Sequence, residues 1–142
     1  MIEIRKVIPG DVPTVYAMGE NVDEFHTGDQ APNFWPEAVL RACVNKDDVY
    51  FFVATSSNEI VGFVIANLNR SLSKALIENV FVKPDSRGLG IGTSLARKVV
   101  DTAKADGYQF ISVLTPPDDT PAIKIYEKAG FSKGEIFLWL DL

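Results

Sequence analysis

Three features of the sequence predict an α/β domain with a mixed, mostly antiparallel central sheet flanked by helices. A meander of three apolar, strand-like runs fills residues 49–82, and a glycine-rich segment, RGLGIG, follows at 87–92. The rest of the chain then alternates helix and strand patterns, which places a crossover after the hairpins. The predicted element order is β-α-α-β-β-β-α-β-α-β.

The N-terminal third predicts one strand and two short helices. IEIRKV at residues 2–7 alternates apolar and polar residues, and PGD ends this strand. Asp11 stands where an N-cap is expected, with Pro13 in the first turn of the helix that follows. A polar loop over residues 19–33 leads to Phe34 and Trp35, and Pro36 opens the second helix, PEAVLRACV.

The middle and C-terminal parts continue this order. VYFFVAT and IVGFVIANLN form a hairpin around residues 57–59, and KALIENVFV adds the third strand of the meander. A helix follows, with an apolar stripe at steps of four and a stop at Gly107; the stripe consists of Ile91, Leu95, Val99 and Ala103. YQFISVLT predicts a strand, TPAIKIYEKAG a helix and EIFLWLDL a terminal strand.

Length, charge and cysteine content limit the function classes. The chain has 142 residues and fits one domain over 1–142. It shows neither a membrane-length apolar run nor a signal peptide, so we expect a cytoplasmic protein. The net charge of -5 argues against nucleic acid as a partner. It fits a cationic substrate, although solubility is its ordinary explanation. The lone Cys43 offers no disulfide or metal site, and its helical spacing indicates a buried, inert thiol.

The glycines point to an anion. A helix N-terminus presents unpaired N–H groups and partial positive charge, and Gly88, Gly90 and Gly92 keep side chains away from it. Arg87 adds a cation. A dinucleotide fingerprint needs glycine where Thr93 stands, and the GK[ST] of a phosphate loop is absent. A glycine-rich turn without a ligand is the plain structural alternative.

Two blocks then resemble one family. VKPDSRGLGIG at 82–92 resembles the acyl-coenzyme A pyrophosphate loop of the GNAT superfamily of N-acetyltransferases, and AIKIYEKAGF at 122–131 is similar to its A-x-x-x-Y-E-K-x-G-F helix. The element order also matches the GNAT fold. The resemblance implies acetyl-coenzyme A as the acyl donor and no metal. The residues it assigns to donor binding are Val80, Phe81, Val82, Arg87, Gly88, Leu89, Gly90, Ile91, Gly92, Thr93 and Tyr126. Asp119 stands where relatives usually have asparagine, which puts its donor contact in doubt.

The resemblance also implies catalytic roles. Glu78 is the candidate base, on one strand face with Val80 and Val82 if no bulge intervenes. Some relatives carry the base two residues earlier, where this chain has Leu76, and a solvated glutamate is the alternative. The Val80 N–H would stabilise the oxyanion. Tyr126 would protonate the leaving thiolate, or else serve as a core residue of a helix capped by Thr120.

The implied activity is transfer of an acetyl group, by direct attack in a ternary complex, to a primary amine: a small amine or polyamine, an amino-acid-like metabolite or a protein N-terminus. The alternative is a non-catalytic acyl-coenzyme A binding or sensing domain. Phe25, His26 and Trp35 are candidate acceptor residues, with packing and plain surface exposure as alternatives. Acidic residues of the same loop (Asp23, Glu24 and Asp29) could attract a cation. We expect no membrane contact, and a monomer or homodimer.

Overall fold

A computed structural model describes residues 1–22, 25 and 34–142, and its described part contains a five-stranded sheet. The strands, in their order across the sheet, are β1 (Ile2–Lys6), β2 (Val49–Ser56), β3 (Glu59–Asn69), β4 (Lys74–Val82) and β5 (Phe110–Val113). Neighbouring strands are antiparallel from β1 to β4, and β5 lies parallel to β4. The predicted mixed, mostly antiparallel sheet is confirmed.

Helices cover both faces of this sheet. Helices α1 (Val12–Gly19) and α2 (Glu37–Cys43) pack on one face, and α3 (Ile91–Ala105) and α4 (Thr120–Lys128) on the other. Each face has its own buried cluster, because alternate residues of β2 and β3 point to opposite sides. No helix in the described ranges is long and apolar enough to cross a membrane.

Several local predictions are confirmed in atomic detail. The turn between β2 and β3 consists of Ser57 and Asn58, with φ of 50° and 65°, as a two-residue hairpin requires. The predicted stripe of α3 is entirely buried. Gly107 follows that helix at a φ of 86°, the left-handed conformation that ends helices. Cys43, the last residue of α2, is buried, and burial raises the pKa of its thiol, as expected of an inert cysteine.

Asp11 does not cap α1 with its side chain. Its carboxylate instead accepts hydrogen bonds from the Arg5 guanidinium at 2.7 Å and from the Ile8 N–H at 2.9 Å. The hydrogen bond from Arg5 is the main reason that the pKa of this buried carboxyl lies below its usual value. The Asp11 carboxylate therefore bonds Arg5 on β1 in place of the first N–H groups of α1.

The predicted terminal strand is wrong. Residues 129–142 form neither helix nor strand, and most large apolar side chains of EIFLWLDL are exposed, Trp139 by 69%. An apolar run becomes a strand only where its backbone finds a ladder partner. The neighbouring edge strand β5 is four residues long and pairs with β4 alone.

Candidate active site

A cleft opens where β4 and β5 part. The two strands pair from Lys74 and Phe110 as far as Ile77 and Val113, and beyond these residues they separate. The resulting cleft has a volume of about 860 Å³ and reaches from the helix α3 N-terminus to the aromatic residues before α2. It therefore brings the glycine-rich loop and two of the candidate acceptor residues, Phe25 and Trp35, into one site.

The open edge of β4 supplies backbone groups to this cleft. The Lys83 N–H bonds the Val61 carbonyl on β3 at 2.8 Å. Because successive N–H groups of a strand point to alternate edges, those of Val80 and Val82 point away from β3, toward the cleft. Val82 shows this direction directly, since its carbonyl accepts a hydrogen bond from Arg87 Nε at 2.9 Å.

A β-bulge interrupts β4 at Glu78. Asn79 lies opposite Ile65 and Ile77 opposite Ala66, so Glu78 is the extra residue. Ile77 and Val80 consequently pack on the same α3 side of the sheet, although they are three residues apart. The prediction that Glu78 shares a face with Val80 and Val82 depended on a strand without a bulge, and it is wrong.

The bulge directs two adjacent polar side chains to the α1–α2 side. The Asn67 Nδ2 amide of β3 donates to Glu78 Oε1 at 3.0 Å, and Asn67 continues the face of Phe63 and Ile65. Next to Glu78, the Asn79 Oδ1 accepts from the Trp35 indole at 2.8 Å. This side of the cleft thus carries a carboxylate and a fixed indole.

Aromatic side chains complete the same side of the cleft. Phe25 stacks on Phe34 with 5.6 Å between ring centroids, and Phe34 contacts Phe63 at the same separation. Phe25, Phe34 and Trp35 all line the cleft, so two of the candidate acceptor residues, Phe25 and Trp35, lie in it. His26 and the acidic residues of the same loop lie outside the described residues.

The glycine-rich loop forms the other end of the cleft. Gly88 and Gly90 have φ of 80° and 77°, and a Cβ at either would point into open space. No described side chain caps α3, so its first N–H groups face this space. The Arg87 guanidinium lies 5.6 Å from the Phe81 ring centroid at the same end. The geometry is that of an anion site with room for a bulky ligand.

Gly92 has a different reason to be glycine. A Cβ there would lie 2.9 Å from Ile125 Cδ1, so this position permits α3 and α4 to approach closely. Thr93 is buried against α4, although it also borders the cleft. Leu89 is 71% exposed and its side chain is not part of the cleft lining. The loop therefore divides into ligand-facing and packing positions.

Helix α4 contributes Tyr126 to the cleft wall. Burial, with the negative charge of Asp119 as a second cause, raises the pKa of Tyr126 to about 12. Asp119 is itself the helix cap, since its Oδ1 accepts from the Ala122 N–H at 3.2 Å. The prediction that Thr120 caps α4 is wrong by one residue, because the carboxylate of Asp119 reaches the first-turn amide.

Sequence reasoning missed three polar residues of this site. Asn67 and Asn79 bond Glu78 and Trp35 on one side of the cleft, and Thr115 borders the cleft with a buried hydroxyl that has no hydrogen-bond partner among the described residues. The adjacent polar pair Glu-Asn inside the apolar run LIENVFV was a usable signal for the bulge. Nothing local in the sequence indicated Asn67, which meets Glu78 only across two strands.

Comparison with known proteins identifies the family. The sequence model of the Acetyltransferase (GNAT) family matches residues 16–131. The chain belongs to this family. Among curated GNAT relatives, an uncharacterised N-acetyltransferase of Methanocaldococcus jannaschii is 32% identical over 114 residues, which cover 76% of this chain and 50% of that protein. This chain therefore spans about half the length of that relative.

Solved structures share the GNAT fold. PaiA N-acetyltransferase from Thermoplasma acidophilum in complex with coenzyme A superimposes with a TM-score of 0.80 at 18% identity, covering 96% of this chain and 93% of that one. An aminoglycoside acetyltransferase from an uncultured soil metagenomic sample, in complex with sisomicin, gives 0.78 at 19% identity and covers 99% and 96%. These likenesses establish the fold.

Proposed function

We propose that residues 1–142 act as one N-acetyltransferase domain that transfers an acetyl group from acetyl-coenzyme A to a primary amine by direct attack in a ternary complex. One observation carries the proposal: the bulged Glu78 and the uncapped α3 N-terminus line the same cleft. A carboxylate base and an anion site are the two groups that such a transfer demands.

The donor side fits coenzyme A in two respects. The α3 N-terminus, with Gly88 and Gly90 leaving open space, suits a pyrophosphate. The open edge of β4 offers backbone groups to an extended, amide-containing arm, as strand edges do for peptides. Bound there, acetyl-coenzyme A supplies the activated acetyl group.

Glu78 and the Val80 amide would act on the reacting groups. An amine with a pKa of about 10.4 arrives as an ammonium, and deprotonation at pH 7 costs about 4.6 kcal/mol. Glu78 accepts that proton, directly or through water, so that the nitrogen can form its bond to the acetyl carbon. The Val80 N–H, directed into the cleft, donates to the acetyl oxygen as negative charge develops there.

Tyr126 would complete the proton balance. As the carbon–sulfur bond breaks, its phenol donates a proton to sulfur, which leaves as a thiol, and the second proton that the nitrogen loses restores the phenol. With its pKa raised to about 12, Tyr126 keeps that proton throughout the neutral range. The products are an amide, a thiol and one proton released to water.

The acceptor side favours an amine attached to an apolar body. The aromatic residues of its described wall are Phe25, Phe34 and Trp35, and Glu78 supplies a carboxylate beside them. Aromatic faces attract a cationic amine and also bury hydrophobic surface. A small arylalkylamine meets both conditions better than a polyamine does.

The test is thiol release from acetyl-coenzyme A in the presence of single amines: phenethylamine, spermidine, an amino acid and an N-terminal peptide. We expect turnover with at least one amine and the highest rate with phenethylamine. Glu78→Gln should lower kcat by about a hundredfold or more. Glu59→Gln is the matched control, because the Glu59 carboxylate lies on the surface beside Lys83.

The outcomes separate the two candidate functions. Donor binding without thiol release for any amine would reject the enzyme and leave the acyl-coenzyme A binding domain. Equal rates for Glu78→Gln and wild type would reject Glu78 as the base. A preference for spermidine over phenethylamine would reject the proposal of an apolar acceptor, and the acetyltransferase activity would stand.

A further inference from the structure

The hydrogen bond between Asn67 and Glu78 is the starting point. Asn67 lies on β3, opposite Leu76 of β4, and its Nδ2 donates to Glu78 Oε1 at 3.0 Å. The donor is a neutral amide, so it restrains the carboxylate without placing a second charge beside it. One carboxylate oxygen is occupied by this bond, and no hydrogen bond to Oε2 occurs among the described residues.

The bulge makes such a restraint necessary. A regular strand residue is fixed by its ladder partner and by its neighbours on the same face. Glu78 has no opposite residue on β3, and its side chain is exposed. Without a hydrogen bond, the Glu78 side chain would populate several rotamers. The entropy cost of ordering the carboxylate would then be incurred when the amine binds.

The neighbouring asparagine is already engaged elsewhere. Asn79 uses its Oδ1 for the Trp35 indole on the same face of the sheet. The two asparagines therefore have separate tasks: Asn79 holds the aromatic wall, and Asn67 holds the base.

Resting on the proposed function, we propose that Asn67 is a positioning residue for Glu78: its amide fixes Oε1 and directs Oε2 to the incoming amine. Its contribution is to the orientation of the base. Asn67 itself touches neither substrate.

The test compares kinetic constants of Asn67 variants with the amine that wild type acetylates best. Asn67→Ala should lower kcat by about tenfold, as expected for loss of a hydrogen bond to a charged group at an exposed site, and leave the donor KM unchanged. Asn67→Gln, which keeps the amide donor, should recover part of this loss. Asn67→Asp should fall below Asn67→Ala, because it replaces the donor by a second negative charge.

Two further measurements distinguish positioning from a structural effect. In a Glu78→Gln background, Asn67→Ala should lower kcat by no more than about twofold, because the base that Asn67 orients is already absent. Asn69→Ala is the matched control: Asn69 lies on the same strand and bonds the Leu72 N–H, and it is not a residue of the cleft lining. It should keep the wild-type kcat.

The results have distinct meanings. A wild-type kcat in Asn67→Ala, or the same tenfold loss in both backgrounds, overturns the positioning role while the proposed function stands. A melting temperature that falls together with kcat in Asn67→Ala, with no recovery in Asn67→Gln, also overturns it. A wild-type protein that acetylates no amine overturns both proposals.

Discussion

The two ends of the cleft, which we propose bind the donor and the acceptor and call the donor side and the acceptor side, are built in opposite ways. The donor side consists largely of main chain: the open edge of β4, the loop at Gly88 and Gly90, and the first turn of α3, all within residues 80–93. The acceptor side consists of side chains from separate elements, with Trp35 before α2, Asn67 on β3 and Glu78 at the bulge of β4.

This difference explains what each side can vary. Backbone groups can bind the same ligand in chains that differ in their side chains, provided that glycine occupies the positions where φ is positive. Side chains from three elements can be replaced one at a time, each changing the shape or charge of the acceptor side. We therefore expect donor-side changes to affect every amine alike, and acceptor-side changes to discriminate between amines.

After Glu78→Gln, the largest effect should come from Tyr126→Phe on the donor side. Loss of a general acid typically costs about a hundredfold, so kcat should fall by this factor for every amine while the donor KM stays unchanged. Steady-state kinetics with two amines checks this. A factor that differs strongly between amines would break the proposed division between the two sides.

The same variant tests the raised pKa of Tyr126. An unfolded tyrosine ionises near pH 10, whereas Tyr126 does so at about 12 in the folded chain. The unfolded state thus releases its proton first, and stability falls as pH rises from 10 to 12. Tyr126→Phe should lose less stability over this range than wild type, by roughly 2 kcal/mol in urea unfolding. If the stabilities of wild type and Tyr126→Phe depended on pH in the same way, the raised pKa of Tyr126 would be contradicted.

Gly90→Ala should be next in size. A left-handed residue with a side chain costs roughly 1–2 kcal/mol, and its Cβ would occupy the ligand space, so the donor KM should rise by about tenfold or more. The acceptor KM should not change. Gly10→Ala is the control, because its Cβ also meets open space but its φ is not positive. Donor affinity measured by calorimetry should separate the two variants.

Asn79→Ala addresses the acceptor side. Losing the bond to the Trp35 indole leaves a partly buried N–H without its partner and frees the ring to turn. The acceptor KM should rise by about fivefold and the donor KM stay constant. Trp35→Phe should give a similar change, and the double variant should be no worse than either alone. Additive losses would show that the two residues act independently.

Gly92→Ala should have the smallest effect and no kinetic one. Its Cβ would press on Ile125 Cδ1 at 2.9 Å, which costs about 1 kcal/mol of stability. Ile125→Val removes that methyl group and should restore most of the loss in the double variant. A donor KM that rises as in Gly90→Ala would instead place Gly92 among the ligand-facing glycines.

Prediction from sequence succeeded where the signal was local. The turn at Ser57 and Asn58, the α3 stripe and Gly107 follow from residue type and spacing, and the family resemblance is confirmed. It failed where two elements compete for one group. The Asp11 carboxylate accepts a hydrogen bond from Arg5 on β1 and does not cap α1. The terminal apolar run has no strand partner in the described chain.

The sequence by itself determined the donor side, because a strand, a glycine-rich turn and a helix N-terminus are contiguous and their backbone geometry is fixed by residue type. Only the tertiary structure decided the acceptor side. The register between β3 and β4 makes Glu78 the extra residue and brings it to Asn67, eleven positions away in the chain. Register depends on how two strands pack together, and no single stretch of sequence specifies it.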